Sequence, residues 1–188
     1  LNAMLLSLRG SVCSYQGEEL GLTEAEIPRH RLQDPYGIAF WPRFKGRDGC
    51  RTPMPWKHAE KLGGFSTVEG WLPIPEEHKR IAVDIQEQDA GSILNAYRQF
   101  IHWRKQQPAL RWGDIEFIAD SNDYVVFIRR YENDCLICAF NFSATDIVID
   151  LGKAYSLTEL KGSDIHSKSG VTHEVFVPAY ACFFAKIN

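Results

Sequence analysis

Apolar positions along the chain follow three spacings, and each spacing predicts a different kind of element. Leu1, Ala3, Met4, Leu5, Leu6 and Leu8 form an apolar run closed by Gly10. That run is too short to span a bilayer and reads as the end of a buried helix whose beginning lies outside this chain. Ser11–Tyr15 follows as a short apolar stretch and predicts a buried strand. Gln16–Leu22 is a polar turn. From residue 23 to 75 no periodicity holds, and seven of the nine prolines lie there. A structureless segment of that length is uncommon in a compact domain unless it has a function. It also carries Phe40, Trp41, Phe44 and Trp56, too many aromatics for a disordered linker. The segment is therefore expected to be an ordered excursion over a binding cleft.

Helical spacing returns at Ile93, Leu94, Tyr97, Phe100, Ile101 and Trp103, which share one face of a helix. Asp89 or Ser92 can cap its first turn, Arg104 and Lys105 suit its C-terminal dipole, and Pro108 bars continuation. From Trp112 the spacing changes to two. Residues 124–130 and 135–142 predict strong strands joined by the turn residues Glu132, Asn133 and Asp134. Residues 147–151, 156–160, 174–177 and 181–187 predict further strands. Closely spaced strands with short turns predict an antiparallel β sandwich. The fold class is thus α+β, with no internal repeat and no low-complexity segment.

Composition narrows the function classes. The net charge of −3 provides no basic surplus for nucleic acid or an anionic membrane. Five cysteines, an odd number, argue against a disulfide framework and for a reducing, cytoplasmic compartment. Cys13, Cys135, Cys138 and Cys182 sit in apolar runs and are expected to act as small core residues. Cys135-x-x-Cys138 has metal-like spacing, but inside a strand the two side chains face opposite sides and no second pair accompanies them. His30, His58, His78, His102, His166 and His173 form no ligand motif. No metal and no cofactor is expected.

Three segments carry a family resemblance. Leu5–Gly21 resembles the end of the seventh helix, the eighth strand and the following loop of the glycoside hydrolase family 13 barrel. Arg47-Asp48-Gly49-Cys50-Arg51-Thr52-Pro53-Met54-Pro55-Trp56 resembles the loop typical of that family's α-glucosidase and oligo-1,6-glucosidase branch, and Gln33-Asp34-Pro35-Tyr36-Gly37 strengthens the match to bacterial members. Ser92–Leu110 is similar to the barrel's last helix. The resemblance implies that residues 1–110 are the C-terminal remnant of a catalytic (β/α)8 barrel, and that residues 111–188 are a C-terminal antiparallel β domain. It further implies a retaining two-carboxylate mechanism acting on α-glucoside oligosaccharides. In the family those carboxylates and a supporting Asp come from strands before the eighth, so no catalytic residue maps onto this chain, which alone is expected to be inactive.

What the resemblance leaves for this chain is substrate contact. Arg47 is implied as a hydrogen-bond donor to the terminal glucose, paired with an Asp from the missing part. A guanidinium fork suits sugar oxygens and a carboxylate together. Arg51 is the next candidate, near the leaving group or structural. The simpler reading of Arg47 is a salt bridge that holds the loop. Trp41 and Phe44 can offer apolar faces to the cleft. Glu18 and Glu19 are adjacent on an extended segment and point apart, so binding loop amides suits them better than catalysis. Two other classes stay open: a non-catalytic oligosaccharide-binding or interaction module, and a piece of a related sugar isomerase or transglycosylase. Segments 1–22 and 93–104 are expected to expose apolar surface and to permit self-association.

Overall fold

The computed structural model describes residues 1–160 and 166–188. The chain forms two compact units. One comprises Leu1–Cys13 and Tyr97–Asn188, the other Ser14–Ala96.

The first unit is built on one antiparallel six-stranded sheet. Its strands are β1 (Asp114–Asp120), β2 (Tyr124–Tyr131), β3 (Asp134–Asn141), β4 (Ile147–Glu159), β5 (Gly170–Val177) and β6 (Cys182–Ile187), in the spatial order β1-β2-β3-β6-β4-β5. Period-two alternation divides the side chains between two cores. Val126, Ile128, Ile137, Ala139, Phe183 and Ala185 point one way and meet Ile149, Leu151, Leu157, Val175 and Val177. Phe127, Leu136, Cys138, Phe140 and Phe184 point the other way. There they meet Leu6 of α1 (Asn2–Ser7), Phe100 and Trp103 of α5 (Ile93–Lys105), and Leu110 of α6 (Pro108–Trp112). The central strands are therefore buried on both faces, which explains their nearly unbroken apolar runs.

The expected sandwich of two sheets is corrected to one curled sheet. Strand β6 pairs with β3 through Leu136↔Lys186 to Phe140↔Cys182, and with β4 through Leu157↔Ile187 to Glu159↔Ala185. Because β6 hydrogen-bonds on both edges, the two would-be layers are continuous, and the second face is covered by helices. Residues 147–151 and 156–159 also belong to one strand. It is interrupted by a register shift between Asp150 and Tyr155, where Gly152 takes φ 73° and its amide donates to Asp150 Oδ1 at 2.8 Å.

Ser11–Tyr15 is the second correction: it joins no ladder among the described residues. A strand needs a neighbour to receive its amides and carbonyls, and no other described segment supplies one. Cys13 is accordingly exposed rather than in a core, while Cys138 is buried and Cys135 and Cys182 are half-buried. Cys135 packs against one core and Cys138 lies in the other, so the pair does face opposite sides of its strand.

Helix α1 is fastened by two arginines. The Arg104 Nε donates to the Leu6 carbonyl at 2.5 Å and its Nη2 to Leu110 at 3.3 Å. Arg129, 1% exposed, donates from Nη1 to the Ser7 carbonyl, from Nη2 to Gly113 at 2.7 Å and from Nε to Asp114 at 3.3 Å. These guanidinium groups occupy carbonyls that a helix end leaves without intrahelical partners. Burial pushes the Arg129 guanidinium down from its ordinary value.

The second unit holds short helices, α2 (Pro35–Phe40), α3 (Glu76–Arg80) and α4 (Val83–Gln88), and the start of α5. Ser92 caps α5 as expected: its Oγ accepts from the Asn95 amide at 3.2 Å and donates to the Gln86 carbonyl at 2.7 Å. Ser92→Ala removes both bonds at a position 8% exposed. We expect it to lower stability by about 1 kcal/mol, measured as a shift of the urea midpoint. Among the described residues no helix is long and apolar enough to cross a membrane.

Candidate substrate-binding loop

The loop from Gln33 to Trp56 is organised by two buried carboxylates. Asp34 caps α2: its Oδ1 accepts the Tyr36 amide at 3.0 Å, with Pro35 in the first helical turn where a missing N–H does no harm. Its Oδ2 accepts two bonds from Arg47, the backbone amide at 3.0 Å and Nε at 3.1 Å. Asp48, fully buried, accepts the amides of Gln33 at 2.6 Å and Asp34 at 2.8 Å through Oδ2. Each carboxylate thus holds the segment that carries the other.

Glycines make this closeness possible. A Cβ on Gly37 would sit 2.5 Å from the Lys45 carbonyl oxygen, and one on Gly49 would sit 2.4 Å from that of Ala25. Gly46 takes φ 77°, and a Cβ there would stand 2.9 Å from that of Asp34.

Burial pushes the Asp34 carboxyl up, but the Tyr36 amide and the amide and guanidinium of Arg47 outweigh it and hold it below 3.8, its ordinary value. A depressed carboxyl stabilises the fold above its unfolded pKa, and that contribution is lost as pH falls through the lower folded value. The protection factors of the Tyr36 and Arg47 amides, which remove the intrinsic pH dependence of exchange, should therefore hold down to about pH 4 and fall below it. Protection factors that fall already near pH 6 would contradict this.

The second half of the motif is an anchor. Thr52, Pro53, Met54 and Pro55 are buried, and Met54 packs with Leu20 and Leu94. The Thr52 hydroxyl meets His78 Nδ1 at 3.3 Å, and His78 Nε2 lies 2.9 Å from the Thr23 carbonyl. A carbonyl only accepts, so His78 Nε2 carries a proton and donates to Thr23. The buried Gln86 donates to Leu20 and Ile81 carbonyls, both at 2.9 Å, and accepts the Leu94 amide at 3.0 Å. Sequence patterning marks neither His78 nor Gln86, because each lies among surface-like polar residues. Asp34-Pro35 does bear a readable signal, an N-cap followed by proline.

The two sequence-predicted arginines occupy different settings. Arg47 is 59% exposed at its side chain, and its partner in this structure is Asp34 of the same loop. Arg51 is half-buried and lines an open depression of about 510 Å³ with Ser14, Tyr15, Gln16 and Trp71; Arg47 is not part of that lining. Gln16 is fixed there by its donation to the Thr52 carbonyl at 3.2 Å. The lining offers hydroxyls, an amide, a guanidinium and two aromatic faces but no carboxylate, so it can bind a polyhydroxylated ligand and cannot supply a catalytic acid. Trp41 packs against the core of Ala25, Ile27, Leu32 and Leu72, whereas Phe44 is exposed. Glu19 accepts the Gly17 amide at 2.8 Å, the loop-amide role expected for it, and Glu26 pairs with Lys45 at the surface.

Comparison with known proteins places this geometry in context. The family described as the alpha-amylase catalytic domain matches residues 1–113. A probable alpha-glucosidase of Rhizobium meliloti (strain 1021) is 47% identical over 187 residues, covering 100% of this chain and 33% of the relative. An oligo-1,6-glucosidase of Parageobacillus thermoglucosidasius is 30% identical over 162 residues, covering 76% and 29%. Among solved structures, the alpha-glucosyl transfer enzyme XgtA matches with a TM-score of 0.91 and 43% identity, covering 99% of this chain and 34% of that one. The chain spans about a third of the length of the curated relatives it matches.

Proposed function

The chain belongs to the alpha-amylase family, and we propose that it is part of an α-glucosidase that releases terminal α-linked glucose from oligosaccharides with retention of configuration. The observation that carries this reading is the 47% identity along the whole chain to a probable alpha-glucosidase, with the Arg47–Trp56 loop held by its own buried carboxylates. Residues 1–110 complete a (β/α)8 barrel in the whole polypeptide, and residues 111–188 form the domain that follows it. The carboxylates that attack the anomeric carbon and protonate the leaving oxygen come from polypeptide beyond these 188 residues, so this chain alone does not hydrolyse.

Within the assembled site this chain supplies recognition. Arg47 presents its terminal nitrogens to hydroxyls of the non-reducing glucose. Arg51, with Tyr15 and Trp71 beside it, contacts the leaving-group side. Both guanidinium groups donate hydrogen bonds and accept none. The unpaired cysteines support a reducing, cytoplasmic compartment. Leu1, Leu5 and Ile93 are exposed and support self-association of the 188-residue chain.

A second reading, glucosyl transfer to a sugar or other hydroxyl acceptor, is supported by the 43% identity to a structure described as an alpha-glucosyl transfer enzyme. Both readings share the first chemical step and differ in the acceptor. Incubating the whole polypeptide with maltose or isomaltose and following products by proton NMR separates them. The proposed function predicts that each disaccharide cleaved ends as two glucose molecules, the one from the non-reducing end released as the α anomer; accumulation of trisaccharide with one free glucose for each trisaccharide formed would sink it.

A further inference from the structure

We propose that Asp34 is a positioning residue for sugar recognition, acting through Arg47: it grips the guanidinium by Nε alone and leaves Nη1 and Nη2 as the pair of donors for glucose. This rests on the reading of Arg47 as a glucose contact. The geometry separates this arrangement from a plain surface ion pair. An arginine whose only task is a salt bridge tends to spend two nitrogens on one carboxylate in a bidentate fork. Here the carboxylate uses the second lobe of Oδ2 for the Arg47 backbone amide, so the side chain is held at one nitrogen. Among the described residues, Asp34 is the one hydrogen-bond partner of the Arg47 side chain.

The grip is rigid on one side and open on the other. The Asp34 side chain is fully buried, whereas that of Arg47 is 59% exposed. Asp34 is fixed from three directions: its amide donates to Asp48, its Oδ1 takes the Tyr36 amide, and its Oδ2 takes Arg47. Gly46 lets the chain pass over the carboxylate at a distance no other residue permits. Fixing Nε at its donor direction removes rotation about the end of a flexible stem before the ligand arrives, the part of recognition that otherwise weakens binding. A substrate that meets two parallel N–H donors gains both bonds with little ordering left to do.

The test is a double-mutant cycle in the whole polypeptide, read as kcat/KM on maltose. Asp34→Asn keeps an oxygen for the Tyr36 amide but turns its other side into a donor facing Arg47, so the fold is retained while the grip is lost. We expect about a 10-fold loss for Asp34→Asn, about 100-fold for Arg47→Ala, and about 100-fold for the double variant, because Asp34 has nothing left to position. A double variant that loses the product of the two, about 1,000-fold, or an unaffected Asp34→Asn, overturns the proposal. Should Asp34→Asn fail to fold, side-chain NMR of the unsubstituted 188-residue chain decides. The Arg47 Nε–H should exchange more slowly than that of Arg51, and equal rates overturn the proposal. If the whole polypeptide turns over no α-glucoside while the Arg47 Nε–H still exchanges slowly, the functional reading fails and the sugar-recognition role falls with it; the slow exchange then reports a structural clamp alone.

Discussion

Arg129→Met lowers the unfolding free energy of the 188-residue chain by about 3 kcal/mol, read from urea denaturation followed by tryptophan fluorescence. The side chain lies in the apolar core between sheet and helices yet donates to three backbone carbonyls, those of Ser7, Gly113 and Asp114. Ser7 and Gly113 are themselves buried. Methionine fills much of the same volume but donates nothing, so those carbonyls are left without partners, each at about 1–3 kcal/mol. Among the described residues no carboxylate forms an ion pair with Arg129; Asp114 pairs with Arg9, so the effect belongs chiefly to hydrogen bonds. Arg129→Lys recovers only part of the loss, because a point charge cannot serve three carbonyls arranged around a planar fork. Arg9→Ala is the control. Its ion pair with Asp114 is 62% and 84% exposed at the two side chains, and its removal changes stability by less than about 0.5 kcal/mol. A loss below about 1 kcal/mol for Arg129→Met would show that water or a rearranged backbone satisfies those carbonyls.

Arg47→Ala in the whole polypeptide reduces kcat/KM on maltose by about 100-fold, equivalent to about 2.7 kcal/mol of transition-state binding. A site that donates to a substrate hydroxyl discriminates strongly when the donor is removed, because the hydroxyl loses its partner. Stability falls by only about 1 kcal/mol, since Asp34 retains the Tyr36 and Arg47 amides. That separation is the informative part. The simpler reading, in which Arg47 only fastens the loop, predicts that activity and melting temperature fall together. Arg47→Lys keeps the charge but not the fork and should recover less than half of the lost binding energy.

Much of the fold is legible where one period dominates. The alternation at 124–130 and 135–142 marks β2 and β3, and the stripe from Ile93 to Trp103 marks α5, with Ser92 as its cap. Legibility ends where partners are non-local. Nothing in residues 182–187 reveals that β6 pairs on both edges, and that single fact turns two sheets into one. Likewise the apolar character of Ser11–Tyr15 suits a strand, but pairing needs a neighbour, and local pattern cannot supply one. At the site, the motif from Arg47 to Trp56 is visible as a motif, but its division of labour is not. The Arg47 end reaches outward, while Thr52–Pro55 is buried as an anchor. The partner of Arg47 is thirteen residues away, and it shows locally only as the helix cap before Pro35.

This chain is proposed to contribute substrate recognition to an α-glucosidase whose catalytic carboxylates lie elsewhere in the polypeptide. That role is tested most directly by measuring turnover of a chromogenic α-glucoside by the whole polypeptide and by the purified 188-residue chain side by side. Steady release of chromophore is expected from the whole polypeptide, and none above buffer from the 188 residues. Turnover by the 188 residues alone, or an inert whole polypeptide, would contradict that role.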